Sequence, residues 1–309
     1  MRRTAGVTRV AAIDCGTNSI RLLVADVSRN RLIDVVRRME IVRLGEGVDR
    51  TGEFTDAAIE RTRAVLADYA ADLHAQHAER VRMVATSASR DVGNRAVFRQ
   101  MVLDTLGAEP EVISGDEEAR LSFLGATREL TGVTGPYLVL DIGGGSTEFV
   151  LGTSTVHRAA SVDVGCVRLT ERHLHGDPPT AAQVDAAVGD IREAVATAGA
   201  VVPMQRARTL VGLAGSVTTV AALALGLPGY DPQAIHHSRI SYHQVAEVTA
   251  MLLRATRSER AALPVMHPGR VDVIGAGALV LRTVMQLTGM DSVLVSEHDI
   301  LDGIAYSIA

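Results

Sequence analysis

The sequence predicts an α/β protein with an internal repeat, folded as two domains with a cleft between them. Two stretches carry the repeat, residues 11–24 and residues 138–151. In each, an apolar run ends in Asp-x-Gly, small or polar residues follow, and an apolar run resumes, which indicates a tight β-hairpin. The length of 309 residues suits two domains. We expect them to span residues 1–130 and 131–297, with a closing helix over 298–309 that packs back on the first.

In the first half, strands and helices alternate after the hairpin. Helical spacing of apolar residues predicts the helices, and Thr55 and Asp56 are candidates to cap the first of them. A short strand with a glycine loop is predicted at 41–48. The other strands are predicted at 31–36, 82–88 and 111–113, and the helices at 55–78, 94–106 and 114–129.

The second half repeats this order after its hairpin. Thr180 caps one predicted helix, and the capping box formed by Ser241 and Gln244 opens another. Strands are predicted at 155–163, 209–213 and 292–295. Helices are predicted from Val167, at 180–198, after 214–216, at 241–256, at 270–287 and from about His298.

Composition indicates an ordinary globular protein, with 47% hydrophobic and 22% charged residues. All 31 residues counted as Lys or Arg are arginine, which excludes a P-loop lysine, the strand lysine of protein kinases and Schiff-base chemistry. A net charge of −5 gives no general attraction for polyanions. The scarcity of aromatic residues argues against binding single-stranded nucleic acid by base stacking. Any phosphate site must therefore be a local cluster.

The two cysteines, Cys15 and Cys166, are too few for a disulfide framework and suit a reducing cytoplasm. The basic start, Met1–Thr4, resembles the start of a signal peptide. However, Asp14 and Asn18 interrupt the apolar stretch that follows, and no apolar run reaches the roughly 18 residues of a membrane span. We expect a cytoplasmic protein that does not associate with membranes.

The two hairpin turns have the chemistry of phosphate-binding loops. Glycines let the backbone approach a phosphate closely, successive N–H groups form an anion-binding nest, and hydroxyls add donors. A third candidate site begins a helix directly after a strand, although an ordinary strand-to-helix turn is an open alternative there. The predicted phosphate-binding residues are Gly16, Thr17, Asn18, Ser19, Gly143, Gly144, Gly145, Ser146, Thr147, Gly215 and Ser216.

Asp14 and Asp141 end the first strand of each hairpin, and we expect them to face each other across the cleft. Carboxylates there favour a hard cation, Mg²⁺, completed by water and substrate phosphate. The copies differ where the first has Arg21 and the second has Glu148. A cation suits phosphate and a carboxylate suits metal, so we predict Arg21 as a phosphate ligand and Asp14, Asp141 and Glu148 as metal ligands. Alternatively, Arg21 and Glu148 pair with each other or face solvent.

Five motifs in order resemble the exopolyphosphatase and guanosine pentaphosphate phosphohydrolase family, within the actin, Hsp70 and sugar-kinase superfamily. They are IDCGTNSIRL from Ile13, ATSASR from Ala85, VISGDEEAR from Val112, LDIGGGSTE from Leu140 and LAGS from Leu213. The resemblance covers essentially the whole chain. It implies two ribonuclease-H-like (actin-like ATPase) domains, an interdomain phosphate channel, Mg²⁺ dependence and stepwise removal of terminal phosphate. It also suggests a homodimer.

Glu118 matches the catalytic glutamate of the family, which positions or deprotonates the attacking water. From the residues alone, Glu117 and Glu118 are acidic residues in the first turn of a helix, where the helix dipole favours them. Within the proposed chemistry, Arg90 joins Arg21 as a phosphate ligand, because phosphoryl transfer depends on charge neutralisation and positioning.

The predicted reaction is Mg²⁺-dependent release of orthophosphate from the end of inorganic polyphosphate. We expect shorter chains to be favoured, because larger members of the family continue into further helical domains. Hydrolysis of guanosine pentaphosphate is the nearest alternative, and binding of guanosine penta- or tetraphosphate is open. From other classes, an ATP-dependent kinase or actin-like switch, and a non-catalytic alarmone or polyphosphate sensor, also remain open.

Overall fold

The computed structural model describes residues 7–28 and 31–309, which form two compact units. The first unit extends to Arg128 and includes Ile300–Ala309, and the second unit is Glu129–Asp299. The basic stretch Met1–Thr4 lies outside the described residues. Within the described ranges, no helix combines the length and the apolar character that crossing a membrane requires.

The first unit contains a five-stranded sheet in the order β3-β2-β1-β4-β5. The strands β1, β2 and β3 form an antiparallel meander, and β4 and β5 continue the sheet in parallel with β1. The elements of this half are β1 Thr8–Cys15, β2 Ser19–Ser28, β3 Arg31–Ile41, α1 Val48–Thr51, α2 Asp56–Gln76, β4 Arg80–Ala85, α3 Ser87–Arg90, α4 Arg95–Leu106, β5 Glu111–Val112 and α5 Gly115–Thr127.

The second unit contains a six-stranded sheet in the order β10-β11-β9-β6-β7-β8. Its elements are β6 Tyr137–Ile142, β7 Thr147–Gly152, β8 Val156–Val162, α6 Cys166–His173, α7 Ala181–Val201, β9 Thr209–Leu213, α8 Ala214–Ala224, α9 Pro232–Ile235, β10 Arg239–Ser241, α10 Tyr242–Arg254, α11 Arg257–Ala261, α12 Ile274–Thr288 and β11 Ser292–Val295. The chain then returns to the first unit as α13 Ile300–Ser307.

Some predicted boundaries are wrong. The strand predicted at 41–48 is absent from the described chain, since β3 is a single strand that ends at Ile41 and residues 42–47 form a loop. Val42 and Leu44 gave this loop the apolar spacing of a strand because both side chains are buried in the core. The strand predicted to reach Ala88 ends at Ala85. In the second unit, a 3₁₀ turn at Pro268–Arg270 precedes α12, which starts later than predicted.

Apolar side chains cover both faces of the first sheet. One face packs against α2 and α4 through Leu66, Tyr69 and Phe98, all fully buried. The opposite face packs against α5 and α13, and Ile300 and Ile304 of α13 belong to that core. The closing helix is therefore an integral part of the first unit.

The two sheets place equivalent turns at one edge. In the first unit, β1 and β4 run parallel, so that Asp14 is level with Val84 near the carboxyl ends of both strands. In the second unit, β6 and β9 run parallel, and Asp141 is level with Leu213. Each hairpin turn therefore lies beside the strand-to-helix turn of the neighbouring parallel strand. This shared arrangement confirms the predicted internal repeat.

Candidate active site

The turn between β1 and β2 is fixed by hydrogen bonds from a neighbouring loop. Gly16 donates its N–H to the Ser19 carbonyl at 2.9 Å. The Thr17 and Asn18 carbonyls accept hydrogen bonds of 2.8–3.1 Å from backbone N–H groups of the loop 42–45. Within the described part of the chain, the N–H groups of Thr17 and Asn18 donate no hydrogen bond. The carbonyls of Thr17 and Asn18 thus already accept hydrogen bonds within the protein, whereas the N–H groups of the same two residues do not donate any there.

The turn between β6 and β7 has the same design with a different partner. Gly143 donates its N–H to the Ser146 carbonyl at 3.0 Å. The Gly143 and Gly144 carbonyls accept bonds of 2.9–3.2 Å from the first N–H groups of α6, and Arg168 Nε donates to the Gly145 carbonyl at 2.9 Å. Among the described residues, the N–H groups of Gly144 and Gly145 have no acceptor. Both turns thus present the donor arrangement of an anion-binding nest.

Close backbone approach is essential at the second turn. A Cβ atom on Gly165 would lie 2.4 Å from the carbonyl carbon and oxygen of Gly144. Since real Cβ atoms do not approach a backbone so closely, only glycine at position 165 lets α6 begin against the turn. The N-terminus of α6 thereby holds the turn in place through the hydrogen bonds to its carbonyls.

The carboxylate that ends each hairpin's first strand has a different partner in the two units. Asp14 is directly opposite Arg21, whose Nη2 and Nε atoms lie 2.6 and 3.0 Å from Asp14 Oδ2. In the second hairpin, Asp141 is directly opposite Glu148. The side chain of Arg21 therefore pairs with Asp14 within its own hairpin.

Asp141 and Glu148 are two buried carboxylates on one face of a sheet, only 6% and 1% exposed. Carboxylate oxygens are the ligands that Mg²⁺ prefers, and it is often held by one or two protein carboxylates with water and phosphate completing its shell. The pair therefore fits Mg²⁺.

The described residues contain no group of three or more His, Cys, Asp or Glu side chains arranged to hold a metal. A magnesium site here would depend on water and substrate for most of its ligands. Asp14, the third predicted ligand, already has the Arg21 guanidinium against it, so its role as a metal ligand stays a prediction.

Glu118 and its neighbour Glu117 lie at the start of α5 in different surroundings. Glu118 is 8% exposed, and its Oε2 lies 2.7 Å from Nη1 of Arg90. The same Nη1 donates to the Ile113 carbonyl at 3.2 Å, which fixes the guanidinium. Glu117 is half-buried and pairs with Arg82 on β4. Of the two acidic residues, Glu118 is thus the buried one, at the sheet edge where the first hairpin turns.

The third predicted phosphate loop lies where β9 runs into α8. Ala214 has a φ of 65°, a left-handed conformation that is strained for a residue with a side chain. A Cβ atom on Gly215 would lie 2.2 Å from the Arg270 guanidinium, so that guanidinium sits directly over the turn. Arg270 Nη1 also donates to Thr219 Oγ1 at 3.2 Å. An arginine thus covers the start of α8.

Sequence reasoning missed Arg270 because it comes from the 3₁₀ turn before α12, about 55 residues after Gly215, and no motif marks it. The predicted residues therefore form three clusters. The first unit holds Asp14, Gly16, Thr17, Asn18, Ser19 and Arg21 in its hairpin, with Arg90 and Glu118 paired nearby. The second unit holds Asp141 and Gly143–Glu148 in its hairpin, and Gly215 and Ser216 at the start of α8.

Both cysteines are buried free thiols. Burial raises the pKa of Cys15, and the adjacent Asp14 carboxylate adds to that rise. Burial likewise raises the pKa of Cys166. Since the thiolate is the nucleophilic form of cysteine, neither residue has the features of a reactive cysteine.

Comparison with known proteins agrees with this architecture. The chain belongs to the Ppx/GppA phosphatase family, whose model matches residues 23–309. Exopolyphosphatase 2 of Mycobacterium tuberculosis is 56% identical to it over 316 residues, covering 98% of this chain and 99% of that protein. The crystal structure of an exopolyphosphatase-like protein has a TM-score of 0.94 at 43% identity, covering 97% of this chain and 98% of the other.

A Ppx/GppA family member of Aquifex aeolicus has a TM-score of 0.81 at 31% identity, with 97% of each chain covered. These likenesses confirm the predicted family and its fold class, the α/β fold of the actin-like ATPases. They also confirm that the chain is a hydrolytic enzyme, since the family is one of phosphatases.

Proposed function

We propose that this protein is an exopolyphosphatase that uses Mg²⁺ to release orthophosphate from the end of inorganic polyphosphate. The observation that carries the proposal is the second hairpin, where two buried carboxylates that fit Mg²⁺ directly adjoin a turn of unused N–H donors. A phosphate with a bound cation matches both halves of that hairpin. The name of the Mycobacterium tuberculosis relative supports polyphosphate as the substrate.

The chain's own groups supply binding and proton transfer in this proposal. Backbone N–H groups of the turns bind phosphate oxygens, and Arg21, Arg90 and the start of α8 add positive potential. Glu118 orients the attacking water and takes its proton. Asp141 and Glu148 would hold Mg²⁺, which would neutralise part of the phosphate charge. Because phosphoryl transfer has a loose transition state, most of the catalysis comes from such positioning and electrostatic stabilisation.

Glu118 is held by Arg90 in the structure, at a distance typical of a charge-assisted hydrogen bond. Arg90 therefore has two roles in the proposal, as a phosphate ligand and as the group that orients the Glu118 carboxylate. The free thiols of Cys15 and Cys166 accord with the expected cytoplasmic location. A homodimer is proposed on the family resemblance alone.

The test measures phosphate release by wild type, Glu118→Gln and Glu117→Gln, with and without Mg²⁺. General-base assistance contributes about 10²–10⁴ in rate, so Glu118→Gln is expected to lose turnover by that factor while keeping its fold. Glu117→Gln is the matched control, because it makes the same change at the adjacent residue, which pairs with Arg82 and not with Arg90. Equal turnover in wild type and Glu118→Gln would contradict the assignment of Glu118 as the general base.

The substrates separate the rival functions. Polyphosphates of graded length, guanosine pentaphosphate and ATP are compared in the same assay. Faster release from guanosine pentaphosphate than from any polyphosphate would favour the nucleotide substrate, and tight binding without release would identify a sensor. Transfer of phosphate from ATP to an acceptor would indicate a kinase.

A further inference from the structure

A polar row crosses three adjacent strands of the second sheet. Asp141 on β6 is directly opposite Glu148 on β7, and Glu148 is directly opposite Ser161 on β8. Residues directly opposite one another share a face of the sheet. Ser161 therefore lies beside the carboxylate pair, and its Oγ donates to Glu148 Oε1 at 2.8 Å.

A second hydroxyl reaches the same oxygen. Ser146 Oγ donates to Glu148 Oε1 at 2.7 Å, so that two neutral donors converge on one atom of a fully buried carboxylate. Hydroxyl donors of this kind fix the orientation of a carboxylate ligand. The Glu148 carboxylate is thus held in a fixed orientation, which a metal ligand needs.

The two serines differ in how they are held. Ser146 belongs to the hairpin turn, whose donors are proposed to bind phosphate. Ser161 belongs to a strand and is placed by the ladder between β7 and β8, independently of the turn. Ser161 therefore orients Glu148 whether or not a phosphate is bound.

The first unit offers an internal comparison at the same place in its hairpin. There the row consists of Asp14 on β1, Arg21 on β2 and Met39 on β3. The carboxylate has a guanidinium as its register partner, and the third strand supplies a thioether, which donates no hydrogen bond. The hydroxyl on the third strand is found in the copy whose two carboxylates face each other.

We propose that Ser161 is a positioning residue that sets the affinity of Glu148 for the divalent cation. The inference rests on the proposed use of Mg²⁺, and it adds a residue that neither the motifs nor the hairpin contains. Groups that orient metal ligands through hydrogen bonds are typically worth about 10–100-fold in metal affinity.

The test measures Mn²⁺ binding, as a spectroscopic substitute for Mg²⁺, by the loss of the free-ion electron paramagnetic resonance signal. Wild type, Ser161→Ala, Ser161→Thr and Glu148→Gln are titrated without substrate. We expect Ser161→Ala to bind Mn²⁺ about 10–100-fold more weakly and Ser161→Thr to retain most of the affinity, since threonine keeps the hydroxyl. Ser154→Ala is the matched control, because Ser154 is exposed in the turn between β7 and β8.

A kinetic measurement distinguishes a specific effect of Ser161 on metal binding from a general loss of activity. The Mg²⁺ concentration for half-maximal activity should rise in Ser161→Ala by the same factor as the Mn²⁺ dissociation constant, with the KM for polyphosphate changed less than twofold. If Ser161→Ala does not fold, Ser161→Cys replaces it, since a thiol of similar size is a weak donor.

The outcomes distinguish this inference from the proposed function. Failure of wild type to bind Mn²⁺ or Mg²⁺ would overturn the magnesium proposal and the inference with it. Binding by wild type that Ser161→Ala leaves unchanged would overturn the inference alone. A loss in Ser161→Ala that threonine does not restore would equally exclude the hydroxyl as the cause.

Discussion

The buried carboxylate at the end of β1 depends on its arginine neighbour. Asp14 is 4% exposed, and the Arg21 guanidinium on the opposite strand offsets its charge at 2.6 Å. Removing one partner of a buried ion pair is far more costly than removing both, because the remaining charge stays desolvated. The side chain of Arg21 is itself 19% exposed, which moderates the effect.

We expect Arg21→Met to lower the free energy of unfolding by about 3 kcal/mol, the lower end of the range for breaking a buried pair. Adding Asp14→Asn to that variant should restore part of the loss, because the amide carries no charge. Guanidinium denaturation of the wild type, both single variants and the double variant measures this coupling. Equal stability of wild type and Arg21→Met would show that solvent screens the pair as it does at a surface.

At the level of single residues, the sequence predicted that the glycines, hydroxyls and carboxylates of each hairpin lie together, because they adjoin one another in the chain. It could not predict Ser161 or Arg270. Ser161 comes close to the candidate site through the strand register, which is set by packing of the whole sheet. Arg270 comes from a turn that is distant in the sequence. The pairing of Arg90 with Glu118 was likewise hidden, since the two residues belong to different motifs and are 28 positions apart in the chain.

Among the secondary-structure elements, α5 and α13 contact each other closely through a glycine. A Cβ atom on Gly303 would lie 1.9 Å from the carbonyl oxygen of Leu121, which belongs to the backbone of α5. A backbone atom cannot move aside as a side chain can. Since Glu118 lies one turn before Leu121 on the same helix, this contact also fixes the proposed catalytic residue.

Gly303→Ala should therefore destabilise the first unit by about 3 kcal/mol, the upper end of the usual cost of overpacking. It should also slow phosphate release, because α5 must shift to admit the methyl group. Gly199→Ala is the control, since Gly199 is exposed on α7 with no atom near its Cβ position. That change should stabilise the protein by about 0.5–1 kcal/mol. Equal unfolding midpoints for the two variants would contradict the close packing of α5 and α13.

Element prediction succeeded where a period was long and capped, as in α2, α7 and α10, each with the predicted N-terminal cap. The prediction of elements failed where the apolar pattern of a segment comes from its packing in the core and not from its secondary structure. Residues 42–47 alternate like a strand, yet their backbone donors serve the Thr17 and Asn18 carbonyls instead of a ladder. The short elements α9, β10 and α11 were missed because three to five residues carry no measurable period.

For the whole molecule, the first unit is discontinuous in sequence. Its sheet is covered on one face by α13, which returns after the entire second unit. Burial of apolar surface is the main force that stabilises a domain. The first unit should therefore need residues 300–309, whereas the second unit, complete within Glu129–Asp299, should not.

A chain ending at Asp299 is expected to retain a folded second unit and to lose protection in the first. Hydrogen exchange followed by mass spectrometry measures this directly: amides of β1, β2 and β4 should exchange rapidly and those of β6, β7 and β9 should stay protected. Removal of Ala309 alone is the control. Slow exchange in β1 of the shortened chain would show that α13 is dispensable.

The late position of α13 in the sequence also determines when each unit can complete its fold during synthesis. The ribosome makes the first sheet early, but the helix that covers it emerges only after every strand of the second sheet. At roughly 5–20 residues per second, the nascent first unit waits on the order of ten to thirty seconds with the apolar surface that α13 will cover still exposed. In the cell, the second unit should therefore complete its fold before the first unit does. The N-terminal half should then be the part of the chain that binds chaperones.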